Sequence, residues 1–223
     1  MSMNASPGSQ LAKAVRFLNT NGLLVVVGEF ERRCGVLWRR LLLERRLQCR
    51  GLILGPRCLL RGLRYIRLGR NFQAAEGLWL EAINAGSTPD GNIRILIGDN
   101  VAVSRWSHIA ATHRVEIGDG VLVGSGVIIT DHNHGQYGGP HTHPEVPPLD
   151  RPLDIDRHVS IGRNVWIGDG VVVAPGAEIG MGSIIGANSV VIGQIPPFTI
   201  AAGAPAKPIK HFDFTSKEWV RIQ

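Results

Sequence analysis

The chain is short of aromatic residues, at 6%, and has only three cysteines in 223 residues. Three cysteines cannot staple a chain of this length, so stability has to come from a buried core, and an odd count suits a reducing compartment. Long apolar runs are missing as well. The longest early one, Leu23 to Val27, falls far short of the roughly 20 residues that span a bilayer. The opening MSMNASPGSQ has no basic stretch leading into an apolar one. No secretory leader is therefore expected, and the acceptor triplet Asn4-Ala5-Ser6 reads as chance. No Gly-X-Y period runs through the 28 glycines, which excludes collagen. What is present is 44% hydrophobic and 19% charged residues. That is a globular composition, on a chain long enough for one domain with an appendage. Glycine and aliphatics together predict many tight corners around a core of small branched side chains.

The net charge of +6 hides an uneven distribution. Residues 32–70 hold twelve arginines against the single acid Glu44, a net +11, which leaves −5 on the remainder. A basic block on an acidic body suits an anionic surface, with lipid headgroups preferred over nucleic acid. The competing reading is a solvated face, or arginines paired with carboxylates in an oligomer.

Internal repetition decides the fold class. From Ile161 an aliphatic residue returns every six positions, at Ile161, Ile167, Val173, Ile179, Ile185 and Val191. Gly162, Gly168, Gly180 and Gly186 follow their starters, and Ala174 follows Val173. Val165, Val171, Ala177, Ser183 and Ser189 stand four after each starter. An earlier run has the same spacing at Ile97, Val103, Ile109 and Val115, slips by two, and resumes at Ile117, Val123 and Ile129. Leu68-Gly69-Arg70-Asn71-Phe72 reads as a degenerate first unit. A step of six fits neither a helix nor a simple strand. It fits short strands joined by regular corners, three to a triangular turn, each coil pairing in parallel with the next. The expected class is all-β, a parallel β-helix over 51–195.

Between Thr130 and Val159 the spacing fails, in a stretch rich in Pro, Gly and His. An excursion over 131–158 is expected to project from one edge of the prism and to carry function. A shorter irregular stretch runs from Ala82 to Asn92. Residues 1–50 read as a basic extension, with amphipathic helices at Leu11–Leu18 and Val36–Leu47 that cap the solenoid or lie on a membrane. Pro196-Pro197 ends the regular part, and the tail 196–223 closes on HFDFTSKEWVRIQ, expected as a short helix.

The segments NVWIGDGVVVAPGAEIG (Asn164 to Gly180), IIGANSVV (Ile184 to Val191) and AAGAPAK (Ala201 to Lys207) resemble acyl-CoA-dependent O-acetyltransferases of the hexapeptide-repeat, left-handed parallel β-helix family. Galactoside and maltose acetyltransferases are members. The DHNHG at 131–135 is similar to that of members acting in surface-polysaccharide synthesis. The resemblance covers about residues 66 to 223; hexapeptide repeats by themselves would indicate the fold alone.

The resemblance implies acetyl transfer from acetyl-CoA to a sugar hydroxyl, with His132 as the general base and no metal. A hydroxyl is a poor nucleophile at neutral pH, and an imidazole has a suitable affinity for its proton. His134 is implied as an orienting or acceptor-contacting neighbour, and His108 as an acceptor contact. For the donor the resemblance implies Asp169 near the pantetheine arm, Ala187 in the same groove, and Ile192 and Gly193 toward the nucleotide. Lys207 and Lys210 stand at the phosphates, where lysine keeps charge but loses bidentate geometry, and Trp166 walls the groove. It also implies a homotrimer with sites between subunits, and the charge distribution adds the expectation of a cytoplasmic protein with peripheral membrane contact through the basic N-terminus and no nucleic acid partner.

Other readings compete. His108 and His113 could join His132 at zinc, as in γ-type carbonic anhydrases. The acceptor could be a small free sugar or an antibiotic, or the solenoid could be a scaffold without activity. His141 and His143 read as solvated, and Cys34, Cys49 and Cys58 have no evident base beside them. Gly118-Asp119-Gly120 and Gly124-Ser125-Gly126 fall in step with the repeat and read as corners, not as nucleotide loops.

Overall fold

The computed structural model describes residues 42–83, 91–137, 142–153 and 157–222. The chain divides into two units, Met1–Leu43 and Glu44–Gln223. The described architecture belongs almost wholly to the second. Residues 42–47 are helical, which agrees with the end of the helix expected at Val36–Leu47. The rest of that helix and the one at Leu11–Leu18 lie outside the described residues.

The coils follow one another with three strands each. The first holds β1 (Ile53–Leu54), β2 (Leu59–Arg61) and β3 (Ile66–Leu68); the second β4 (Gln73–Ala74), β5 (Trp79–Ala82) and β6 (Ile95–Ile97). The third holds β7 (Ala102–Val103), β8 (His108–Ala111) and β9 (Val115–Ile117); the fourth β10 (Leu122–Val123), β11 (Ile128–Thr130) and β12 (Val159–Ile161). The fifth holds β13 (Trp166–Ile167), β14 (Val172–Val173) and β15 (Glu178–Ile179); the sixth β16 (Ile184–Ile185), β17 (Val190–Val191) and β18 (Gln194–Ile195). After these come β19 (Thr199–Gly203), β20 (Ala206–Asp213) and β21 (Glu218–Arg221).

First, second and third strands of successive coils stack into three faces, here A, B and C. All coil-to-coil pairing is parallel, for example Ile129 on Ile109 and on Val173. The six-step aliphatics are the interior column: Ile97, Val103, Ile109, Ile117, Val123, Ile129, Ile161, Ile167, Val173, Ile179, Ile185 and Val191 are all buried. Their burial is the main favourable term holding coil to coil. Regular stacking reaches back to β1 and runs one strand past Pro196-Pro197, because β19 adds to face A with Ala201 buried beneath Ile185.

The two-residue slip has a physical cause. In β9 both Val115 and Ile117 point inward, and the way from Ile109 on face B to Ile117 on face C is two residues longer than from Val173 to Ile179 in the regular fifth coil. The glycines beside the starters are needed for close approach. A Cβ on Gly168 would stand 2.7 Å from the Ala187 nitrogen in the next coil.

The tail departs from expectation. The segment read as a short helix is an antiparallel hairpin, β20 pairing with β19 and β21 with β20. Asp213 accepts from the Thr215 N–H and the Ser216 hydroxyl and so closes a turn. Lys217 then takes a left-handed φ of 59°. Phe212 packs edge-on against Phe214 and Trp219, a cross-strand cluster that a helix would scatter.

Candidate active site

β11 ends at Thr130, and the long excursion begins with Asp131 and His132 at the edge between faces B and C. Asp131 is fully buried. One carboxylate oxygen accepts from the Thr112 N–H at 2.9 Å and the Thr112 hydroxyl at 3.2 Å, the other from the N–H groups of His113 at 2.8 Å and Arg114 at 2.7 Å. These donors belong to the lengthened corner of the coil below. The slip in the repeat therefore turns three amide protons toward one carboxylate. Burial by itself would raise the pKa of Asp131. Hydrogen bonds from His132 and the three amides outweigh it and hold the group below the ordinary carboxylate range.

His132 Nδ1 lies 2.9 Å from Asp131 Oδ1 and 3.1 Å from Thr130 Oγ1. An ionised carboxylate can only accept, so Nδ1 carries the proton and Nε2 presents its lone pair away from Asp131. The His132 side chain is 12% exposed. It is a held imidazole with one free nitrogen, the arrangement a general base requires. Sequence reasoning singles out His132 and passes over Asp131. The slip at Val115–Ile117, in the coil beneath the break at Thr130, is the signal that could find it.

His108, on the outer side of β8, stacks on Trp79 with ring centroids 4.2 Å apart. Its Nε2 is buried with no hydrogen-bond partner among the described residues. Desolvation, with a smaller push from His132, lowers its basicity, against the pull of Glu81. His108 is thus a neutral imidazole in the electrostatic neighbourhood of His132. His134 is exposed; its backbone bridges Leu153, and its carbonyl accepts from the Tyr137 hydroxyl at 2.6 Å. The excursion is tied together locally. Arg151 reaches the Val146 and Pro144 carbonyls and the Tyr137 hydroxyl.

The residues expected at the donor fall on different edges. Asp169 and Ala187 occupy successive A–B corners, whereas Ile192 and Gly193 lie on the B–C edge with His132, two coils on. Asp169 already accepts the Ser125 N–H at 2.6 Å, as Asp119 accepts that of Asp99. Trp166 is 52% exposed on face A, between Leu122 and Ile184. Lys207 and Lys210 stand on β20, at the end of the same face. Gly118-Asp119-Gly120 and Gly124-Ser125-Gly126 are corners, as the spacing implies. The zinc arrangement of His108, His113 and His132 does not assemble: among the described residues no group of three or more His, Cys, Asp or Glu side chains is placed to hold an ion. His141 lies outside the described residues.

The family described as "Bacterial transferase hexapeptide (six repeats)" matches residues 158–193. WbbJ of Escherichia coli (strain K12), provisionally named a lipopolysaccharide biosynthesis O-acetyl transferase, is 41% identical over 164 residues, covering 73% of this chain and 80% of WbbJ. The chain belongs to the hexapeptide-repeat O-acetyltransferase family. This acetyltransferase shares its fold with AntD, an N-acyltransferase from Bacillus cereus. A point mutant of AntD in complex with dTDP and coenzyme A superposes with a TM-score of 0.56 at 16% identity, over 75% of this chain and 84% of AntD. AntD in complex with dTDP and 3-hydroxybutyryl-CoA gives 0.52 at 19% identity over the same shares. The solenoid of the acetyltransferase is accordingly the left-handed parallel β-helix. No helix among its described residues is long and apolar enough to cross a membrane, which says nothing of a β-barrel.

Proposed function

We propose that the enzyme transfers acetyl from acetyl-CoA to a sugar hydroxyl of a surface polysaccharide such as O-antigen or capsule, with His132 as general base. The observation that carries this reading is the pairing of His132 with the buried Asp131 at the break of the repeat. The lipopolysaccharide role named for WbbJ supports the acceptor class.

His132 Nε2 takes the proton from the acceptor hydroxyl as its oxygen attacks the thioester carbonyl. The tetrahedral intermediate then expels the CoA thiolate, and the imidazolium returns the proton to that sulfur. Asp131, ionised and already holding Nδ1–H, stabilises the imidazolium between the two transfers. His108 and His134 stand on the acceptor side. Asp169, Ala187, Ile192, Gly193 and Trp166 line the donor groove, and Lys207 and Lys210 meet its phosphates.

The division of donor residues between two edges, with face B between them, supports a homotrimer in which one copy's A–B edge closes against another's His132. Arg45, Arg46, Arg50 and Arg64 are exposed and engage no carboxylate among the described residues. That supports docking of a cytoplasmic enzyme on the anionic inner face of the membrane, where a lipid-linked acceptor would be presented.

The test is thiol release from acetyl-CoA in the presence of lipid-linked or polymer-repeat sugars. His132→Ala is expected to lower the rate on the order of 10²–10⁴-fold and to spare CoA binding. Full activity in that variant would remove His132 from the chemistry. Transfer to free small sugars alone would overturn the acceptor.

A further inference from the structure

Face B is not uniform along the prism. Its outward row in the later coils is aliphatic, Ile128, Val172 and Val190 in register. In the second and third coils the same row becomes Trp79 and His108. Further along the strands, toward the B–C edge, a second row runs Arg61, Glu81, Ala110, Thr130. This row ends at the Thr130 hydroxyl that touches His132. Trp79, Glu81 and His108 thus border Ala110, immediately beside the proposed base and on its N-terminal side. The donor residues Asp169, Ala187, Ile192 and Gly193 all belong to later coils.

Three features of this corner are unexplained by packing. The indole of Trp79 is 39% exposed instead of being turned inward. The His108 Nε2 is buried without a partner among the described residues, a state that native proteins rarely leave unanswered. Arg61 is held loosely, 3.5 Å from Glu81 and 6.0 Å over the Trp79 ring, both at the outer limit for such contacts. An indole rim, a carboxylate, a guanidinium and an orphaned imidazole nitrogen are complementary to one ligand chemistry. A pyranose offers apolar C–H groups to the indole and hydroxyls to the polar groups, and it carries no charge to conflict with Glu81.

We infer that Trp79 and Glu81, with His108 and the movable Arg61, form the subsite that selects the acceptor as a neutral sugar ring. The inference rests on the sugar-acceptor reading above and extends it to residues that no motif marks. The sugar lies over coils two and three with one hydroxyl at His132 Nε2, and the thioester reaches the same nitrogen from the later coils.

Trp79→Ala and Glu81→Gln are assayed in the full-length enzyme with saturating acetyl-CoA and a panel of lipid-linked and polymer-repeat sugars carrying gluco, galacto or manno rings, beside the matching methyl α-hexopyranosides. CoA dissociation constants are measured by calorimetry and particle mass by light scattering. Each variant is expected to lose tenfold or more in kcat/KM for the sugar that wild type acetylates. CoA affinity should stay within twofold and the mass should not change. Glu81→Gln alters an accessible polar group and keeps the question open to refutation if Trp79→Ala fails to fold. Sugar KM values within twofold of wild type in the folded variants overturn the subsite. So does a parallel loss of CoA affinity, and so does a fall in mass, which would make this face a contact between copies. A wild type that acetylates none of the panel overturns the sugar-acceptor reading beneath it.

Discussion

The A–B and B–C edges of this prism are built from the same chain under the same constraints, and they differ in what they tolerate. Along the A–B edge the later coils turn through near-identical corners, Gly124-Ser125-Gly126, Gly168-Asp169-Gly170 and Gly186-Ala187-Asn188, each stitched by amide hydrogen bonds to its neighbour. Along the B–C edge the spacing fails three times, between β5 and β6, at Thr112–Arg114 and at Asp131–His158, and the catalytic candidates gather at the last two. Regular corners direct their amides to the adjoining coil. A lengthened corner frees three, and Asp131 collects them. The candidate site sits where the stacking rule is relaxed, held by groups that the relaxation exposes.

The comparison is tested hardest at Asp131. Asp131→Asn keeps the shape, puts an amide nitrogen against N–H donors, and no longer fixes the His132 tautomer. A fall in kcat of roughly 10²-fold should accompany a loss of about 3 kcal/mol in unfolding free energy. Steady-state kinetics and denaturant titration measure the two separately, with CoA affinity unchanged. If stability alone suffers, Asp131 holds the corner and does nothing for the base. On the regular edge the expectation is reversed. Gly168→Ala places a Cβ 2.7 Å from a backbone nitrogen and 2.9 Å from the Ile185 carbonyl oxygen, neither of which can move cheaply. It should cost about 2 kcal/mol, a melting shift of roughly 4–8 °C. The fraction that stays folded should turn over at a normal rate at low temperature. An active site that collapses with Gly168→Ala would show that the two edges are not separable.

The smallest effect is on pH. The folded His108 binds a proton less readily than its ordinary 6.5, so the unfolded chain takes up protons first as pH drops, and stability declines below that value. The folded Asp131 titrates below its ordinary 3.8, so its contribution is whole above that value and is lost as pH falls through the depressed one. Melting temperature followed from pH 8 to pH 3 should fall in two stages. Asp131→Asn should lack the second, and a single unchanged curve in that variant would contradict the assignment.

Much of this is legible in the sequence. The interior column can be read because each starter faces one environment, the prism axis, at a fixed interval. His132 can be read because the interval breaks beside it. Asp131 escapes notice for a physical reason. Its partners are backbone amides, which are the same in every residue and leave no mark in composition. Trp79 and Glu81 escape because outward positions of a solenoid carry no period. The tail misleads because Phe212, Phe214 and Trp219 pair across a hairpin, and Asp213 forms its turn through side-chain acceptance that spacing does not report.

The hairpin has a further consequence. A solenoid that ends on a parallel strand offers the next molecule an unfinished coil, and copies could grow end to end into a fibre. Here β20 runs against the grain, antiparallel to β19, and β21 turns back along it. The parallel edge of β19 is therefore covered by a reversed strand, and on face A an incoming coil meets a hairpin.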